Sequence, residues 1–211
     1  MPFRHCQIKS FLNQFDQKFG KNGLHANIFL NSHCSYRGHW LNNQKHGNGI
    51  LINHKNGSIY EGKFSQNQKH GYGRLTIRLK NGSMQRYYIG QWTNNQMNGY
   101  GTLYFNETTY YEGEFVHNKR CGWGRMFYEN GDIYEGDWFN NQRHGFGQLL
   151  TIHGDHYDGH WSEDKKHGDG QYYFKKQNRL CKGFWLNSFC KSSECTQLLN
   201  KEHKSSASQE K

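Results

Sequence analysis

Three groups of residues have the types and spacing that chemistry would need. Histidine is abundant, 14 in 211 residues, and His153, His156 and His160 stand three and four apart, as metal ligands do. Cys181, Cys190 and Cys195 with His203 form a second such set. Glu61, Glu112, Glu135 and Asp158 could serve as acids or bases. The Gly-Tyr-Gly, Gly-Trp-Gly and Gly-Phe-Gly units resemble loops that cradle phosphate. Each group has a plainer explanation. Neither His/Cys set fits a closed zinc pattern. His46, His70, His144 and His167 share a position just before Gly, where Asn98 and Cys121 also occur, and a ligand position would not tolerate Asn. The glycine units lack the third Gly, the following helix and any Gly-Lys-Ser/Thr. The carboxylates recur one per copy of a longer phrase, so no unique acid pair stands out, and no Gly-x-Ser-x-Gly elbow is present. The expectation is no catalytic residue, no metal, no cofactor and no enzyme.

That longer phrase must position whatever the chain presents. It runs aromatic, any residue, Gly, any residue, aromatic, then a polar loop and Gly-x-Gly. Copies open at Tyr36, Tyr60, Tyr88, Tyr111, Tyr134 and Tyr157, with spacings of 24, 28, 23, 23 and 23, and a weak copy follows at Cys181. A fixed period of this length marks a modular array. In the fourth copy Tyr111, Gly113 and Phe115 alternate with Glu112 and Glu114, and Gly122, Gly124, Met126 and Tyr128 alternate again. Both are half-buried strands. A six-residue polar loop joins them into a hairpin. Asn56-Gly57, Asn81-Gly82 and Asn130-Gly131 predict type I′ turns between copies. The series Asn43, Asn67, Asn95, Asn118, Asn141 and Asp164 predicts one positive-φ loop position per copy, because Asn and Asp tolerate that region best after Gly.

Three glycines per copy (Gly38, Gly47 and Gly49 in the first) are expected on the aromatic face. There the rings of Trp40, Phe64, Trp92, Phe115, Trp138 and Trp161 would lie over the bare backbone of the facing strand. With Tyr36, Tyr60, Tyr88, Tyr111, Tyr134 and Tyr157 these rings form an aromatic stripe, the candidate partner surface. Fold class is therefore all-β: an elongated, twisted, single-layer antiparallel sheet of tandem hairpins, about 14 strands and on the order of 65 Å long. Residues 1–20 read as a flexible arm, 21–35 as an incomplete capping repeat and 36–180 as six full repeats. A degenerate repeat follows over 181–191, then a disordered tail over 192–211 with at most a short helix around Thr196–His203.

Composition sets the class of partner. Apolar residues make only 33% of the chain, yet aromatics reach 16%, so order must come from many small ring clusters. No apolar run approaches a membrane span and no export signal is visible, which predicts an intracellular protein with reduced cysteines. The net charge is +10. Lys45, Lys69, Lys119, Arg120, Arg143, Lys165 and Lys166 recur in the hairpin loops and would line one edge as a basic ridge. That ridge suits an acidic membrane surface or an acidic protein, or it serves to discourage edge-to-edge aggregation. No nucleic-acid module is present and no nucleic-acid partner is expected.

The chain resembles the MORN repeat, carried by Tyr60-Glu-Gly-Lys-Phe64 with His70-Gly-Tyr-Gly73 and by Tyr134-Glu-Gly-Asp-Trp138 with His144-Gly-Phe-Gly147. The resemblance covers about residues 36–191. The family's loop Gly is replaced here by the Asn/Asp series. The resemblance implies an elongated sheet that scaffolds other proteins, often at cytoskeletal, ciliary, flagellar or membrane-apposed sites. One animal member is associated with sperm and the acrosome. The leading expectation is thus a non-catalytic scaffold offering an aromatic-lined groove to a peptide or helix, with a peripheral membrane adaptor as the alternative.

Overall fold

Fifteen strands follow one another in a single sheet, each hydrogen-bonded only to its neighbours in sequence. The computed structural model describes residues 20–198. The strands are β1 (Gly23–Asn31), β2 (Cys34–Leu41), β3 (Gln44–Asn53), β4 (Ser58–Ser65), β5 (Gln68–Arg78), β6 (Met84–Thr93), β7 (Gln96–Tyr104) and β8 (Tyr110–Val116). They continue as β9 (Lys119–Phe127), β10 (Ile133–Phe139), β11 (Gln142–Leu150), β12 (His156–Ser162), β13 (Lys165–Phe174), β14 (Arg179–Leu186) and β15 (Phe189–Gln197). All pairings are antiparallel, so the fold is an open meander of tandem hairpins.

Turn chemistry dictates the hairpins, and each expected Asn/Asp position does have positive φ, joined by the residue before it. The two residues at each hairpin tip both have positive φ: Asn42 and Asn43 (49° and 62°), Gln66 and Asn67, Asn94 and Asn95, His117 and Asn118, Asn140 and Asn141, Glu163 and Asp164. This type I′ turn matches the right-handed strand twist. The expected six-residue loop is therefore only a two-residue turn, with its flanking residues already in strands. The Asn-Gly pairs between repeats are the correction. There only the Gly is at positive φ, as at Gly82 (85°) and Gly131 (86°). The Gly82 and Gly131 N–H groups donate to Leu79 and Tyr128 C=O, and the preceding Asn caps the turn with its own side chain, Asn81 Oδ1 accepting from Ser83 N at 3.0 Å. A side-chain-capped turn leaves Asn in its ordinary region, so the I′ requirement vanishes.

The core is one zigzag of rings on one face. From Trp40 through Tyr36, Phe64, Tyr60, Trp92 and onward to Tyr157 and Trp185, each ring meets the next edge-to-face, as between Tyr134 and Trp161 (centroids 5.2 Å, 83°). That is the geometry the ring quadrupole prefers. The six tyrosines are at most 2% exposed. Leu103 and Met126 are buried beside them, with Leu51, Leu75, Leu149 and Tyr172 packed partly against the row.

The glycine reading needs two corrections. It is the tyrosine, not the second aromatic, that lies over bare backbone: a Cβ on Gly49, Gly73, Gly101, Gly124 or Gly147 would overlap the ring of its own repeat's Tyr. The first glycine of each Gly-x-Gly is not under the rings at all. A Cβ at Gly122 would meet Glu114, and one at Gly145 would meet Asp137, both on the opposite face. These glycines have positive φ (68° and 60°) beside the register shift that bulges each hairpin. The bulge leaves one carbonyl off the ladder, and the tyrosine hydroxyl donates to it, as Tyr134 Oη does to Asp137 O at 3.0 Å.

At the ends, β1 occupies the region expected to cap the first hairpin. The tail boundary was misplaced: residues 192–197 belong to β15, and no helix begins at Thr196. Residues 1–19 and 199–211, including most of the expected arm and tail, lie outside the described residues.

Candidate functional site

Strand alternation sorts the chain's aromatics onto two faces, and the sorting decides what is available for binding. Tyr36, Trp40, Tyr60, Phe64, Tyr88, Trp92, Tyr111, Phe115, Tyr134, Trp138, Tyr157 and Trp161 are all buried. As a partner surface the stripe is therefore corrected. In a single-layer sheet no second layer exists, so the largest side chains must cover one another and leave no ring face for a ligand. Burial raises the hydroxyl pKa of the six tyrosines, to about 12 at Tyr36 and Tyr157.

The basic ridge is divided as well. Five members turn back over the rings. Arg120 lies 4.3 Å from the Trp138 centroid, Arg143 4.3 Å from Trp161, Lys69 4.7 Å from Trp92, Lys166 4.7 Å from Tyr157 and Lys45 6.0 Å from Tyr36. These are cation–π contacts. Burial lowers the Lys166 pKa to about 8, helped by nearby Arg143, and lowers Lys45, Lys69 and Arg120 too. The backbone at these positions is clasped by the next hairpin's turn. Asn67 N donates to Lys45 O, and Asn67 Oδ1 accepts from Lys45 N at 2.9 Å. The same two-point clasp joins Asn95 to Lys69, Asn118 to Met97, Asn141 to Arg120 and Asp164 to Arg143. The Asn/Asp series thus ties hairpin to hairpin besides setting the turn. Only Lys119 and Lys165 of the ridge are exposed.

The other face carries what sequence reasoning passed over. The residue between the two glycines points away from the tyrosines: Tyr72 is 61% exposed, Tyr100 53%, Trp123 43% and Phe146 56%, with Phe184 on β14 continuing the line at 42%. The signal was present in the Gly-Tyr-Gly, Gly-Trp-Gly and Gly-Phe-Gly units, read only as architecture. Beneath these rings the bare glycines leave a groove. Trp123, Glu135, Asp137, Phe146 and Asp158 line one stretch. Phe146, Asp158, His160, Asp169, Lys182 and Phe184 line the next, of about 720 Å³, which reaches β15. Shared Phe146 and Asp158 make the two continuous across the strands. Arg125 pairs with Glu135 at 2.6 Å, and Arg74 pairs with Glu61.

The candidate metal sets do not assemble. His156 and His160 lie on one strand roughly 13 Å apart along it; His156 approaches Asp158 at 3.9 Å, while His160 contacts Asp169 O. Among the described residues no group of three or more His, Cys, Asp or Glu could hold a metal ion. The cysteines correct the reduced-thiol expectation: Cys181 and Cys195 face each other across β14 and β15 and form a disulfide. The pairing was hidden because the seventh copy's second strand was read as tail. Cys190 is free and exposed.

A serial-hairpin sheet with an internal ring core and a second, open face defines a repeat scaffold. The MORN repeat profile matches residues 36–57, 60–78, 88–107, 111–133, 134–150 and 157–179. The chain belongs to the MORN-repeat family. No curated protein matches it in sequence.

Proposed function

We propose that the protein is a non-catalytic scaffold whose glycine-floored groove, on the face away from the tyrosine rows, receives a segment of a partner protein. The observation behind this reading is the exposed line Tyr72, Tyr100, Trp123, Phe146 and Phe184, the last three of which border a continuous depression running from β9 to β15. Exposed aromatics at regular intervals are what binding hot spots are made of. The rival reading, attachment to acidic lipid through the ridge, has lost most of its material, since five of seven bases are engaged with rings and turns. From the family resemblance we further propose a cytoskeletal or flagellar setting in germ cells, which immunofluorescence with axonemal and acrosomal markers would test.

A photoreactive benzoylphenylalanine placed at Phe146 tests the groove, with Phe105, exposed near Arg120 on the ring side, as control. Cross-links from Phe146 to one identified segment, absent from Phe105 and lost with Trp123→Ala, are expected. Equal yield from both positions, or yield from Phe105 alone, would refute the proposal. Pelleting with phosphatidylserine vesicles unaffected by Trp123→Ala would point instead to the membrane.

A further inference from the structure

We infer that the occupant of the groove is a cationic amphipathic helix of a partner protein, seated over β7 to β14. This deepens the groove reading and rests on it. Two observations fix the occupant's chemistry, its charge and its period.

Charge comes first. The chain carries +10 overall, yet the groove floor has the opposite sign in its second half. On the strands from β8 to β13, alternation puts Glu112, Glu114, Glu135, Asp137, Asp158 and Asp169 on the open face. Arg125 is the only Lys or Arg among them on the floor, and Lys119 and Lys165 stand out at the hairpin tips. Counting β14 as well, six carboxylates stand against Arg125 and Lys182, and four of them, Glu135, Asp137, Asp158 and Asp169, line the groove, where low-dielectric walls focus attraction for cations. The first half differs: Arg37, Lys63 and Arg74 face only Glu61. The positive charge that dominates the whole molecule is thus kept off the acidic floor, much of it folded over the ring row on the other side. An anionic or neutral occupant would forgo this complementarity, and an anionic one would be repelled.

Period comes second. Tyr72, Tyr100, Trp123 and Phe146 lie on β5, β7, β9 and β11, every second strand. Neighbouring strands are about 4.8 Å apart, so the rings recur roughly every 9.6 Å along the array. A helix lying across the strands rises about 1.5 Å per residue and would meet one ring every six to seven residues, close to two turns and always on the same side. An extended segment would cover that distance in three residues, and its side chains alternate, so successive anchors would face opposite ways. The geometry therefore selects a helix with an apolar residue about every seven positions and Lys or Arg flanking that stripe. Tyr100, Trp123 and Phe146 would receive the apolar residues, and the carboxylates the cations; Phe184, three strands beyond Phe146, stands outside this period.

Fluorescence anisotropy with the whole chain and three labelled 24-residue helical peptides tests this. The peptides share a seven-residue leucine period and differ only in flanking Lys, Gln or Glu. The Lys peptide should bind at least tenfold more tightly than the Gln peptide and weaken steeply with salt, and the Glu peptide should not bind. Combining Glu112→Gln with Glu114→Gln and Asp169→Asn, the last two at exposed positions, should remove most of the Lys preference while circular dichroism stays unchanged. Gln-peptide binding as tight as Lys-peptide binding, both lost with Trp123→Ala, would overturn the cationic helix and leave the groove reading standing. Indifference of every peptide to Trp123→Ala and Phe146→Ala would remove both. A dimer of the protein alone, abolished by Trp123→Ala in sedimentation, would give the groove to a second copy and also overturn the inference.

Discussion

Gly147→Ala should unfold the repeat around Tyr134, and its cost can be estimated from the ring it displaces. Gly147 has no positive φ, so Ala there is conformationally ordinary, and in an open strand the change would be neutral or gain about 0.5–1 kcal/mol. Here the new Cβ overlaps the Tyr134 ring, and the backbone on the other side is fixed by pairing with Gly136 and Gly159. The ring must leave. Tyr134 is wholly buried; an aromatic side chain of about 150–250 Å² at about 25 cal/mol per Å² represents about 4–6 kcal/mol. Its hydrogen bond to Asp137 O adds about 1 kcal/mol. Set against a total stability of about 5–15 kcal/mol, that loss melts the repeat or the chain. Urea unfolding of Gly147→Ala, Tyr134→Ala and the double variant decides the cause. If the ring overlap is responsible, adding Gly147→Ala to Tyr134→Ala should cost less than about 1 kcal/mol. An undiminished cost in the Tyr134→Ala background, or a single variant as stable as the parent, would refute the packing argument.

The two-face division predicts opposite fates for two tryptophans: Trp138→Ala should cost about 3–5 kcal/mol in urea unfolding, and Trp123→Ala within about 0.5 kcal/mol of nothing. Asn141→Gly keeps the turn but removes the bond to Arg120 N (2.9 Å), for about 0.5–1.5 kcal/mol, whereas Asn141→Ala should cost more because it also strains a φ of 73°. Stability should peak near pH 10. Between about pH 8 and 10.5 the unfolded chain still holds the Lys166 proton that the folded chain has released, so stability rises. Above the ordinary tyrosine value of 10.0 the unfolded tyrosines ionise while folded Tyr36 and Tyr157 wait until about 12, so it falls; urea midpoints declining steadily from pH 8 would contradict the first step, and midpoints still rising above pH 11 the second. Among the cysteines of the described residues, iodoacetamide applied without reductant to the denatured, air-purified protein should label Cys34, Cys121 and Cys190 and spare Cys181 and Cys195, as peptide mass mapping will read.

Period and alternation made the sheet legible, because the same residues that repeat are those whose removal would open the core. Tyr36, Tyr60 and their successors announce the buried face by recurring without exception, and Asn43 to Asp164 announce the turns by tolerating positive φ. What stayed hidden depends on register, which a single period does not contain. The bulge on β11 at Gly145 moves that glycine to the face of Asp137, so counting by twos from Gly147 places it wrongly. Likewise Cys195 could pair with Cys181 only once residues 192–197 were recognised as a strand.

A single aromatic stripe would have to fold the chain and bind a partner at once. A single-layer sheet cannot use the same surface for both. Rings that bury one another at centroid distances near 5 Å leave no face free, so the array needs a second set of aromatics, and one position supplies it: the residue between two glycines, one step out of phase with the tyrosine's partner. The glycines thereby have two effects. On one side Gly124 and Gly147 admit the tyrosine rings; on the other, Gly122 and Gly145, where a Cβ would meet Glu114 and Asp137, leave room beside Trp123 and Phe146. Stability is carried by one face of the strands, and the recognition proposed above by the other. The chain can therefore vary its groove residues from Asn48 to Tyr72 to Trp123 to Asp169 along its length without touching the core, which is how a monotonous repeat can present a surface that differs from one end to the other.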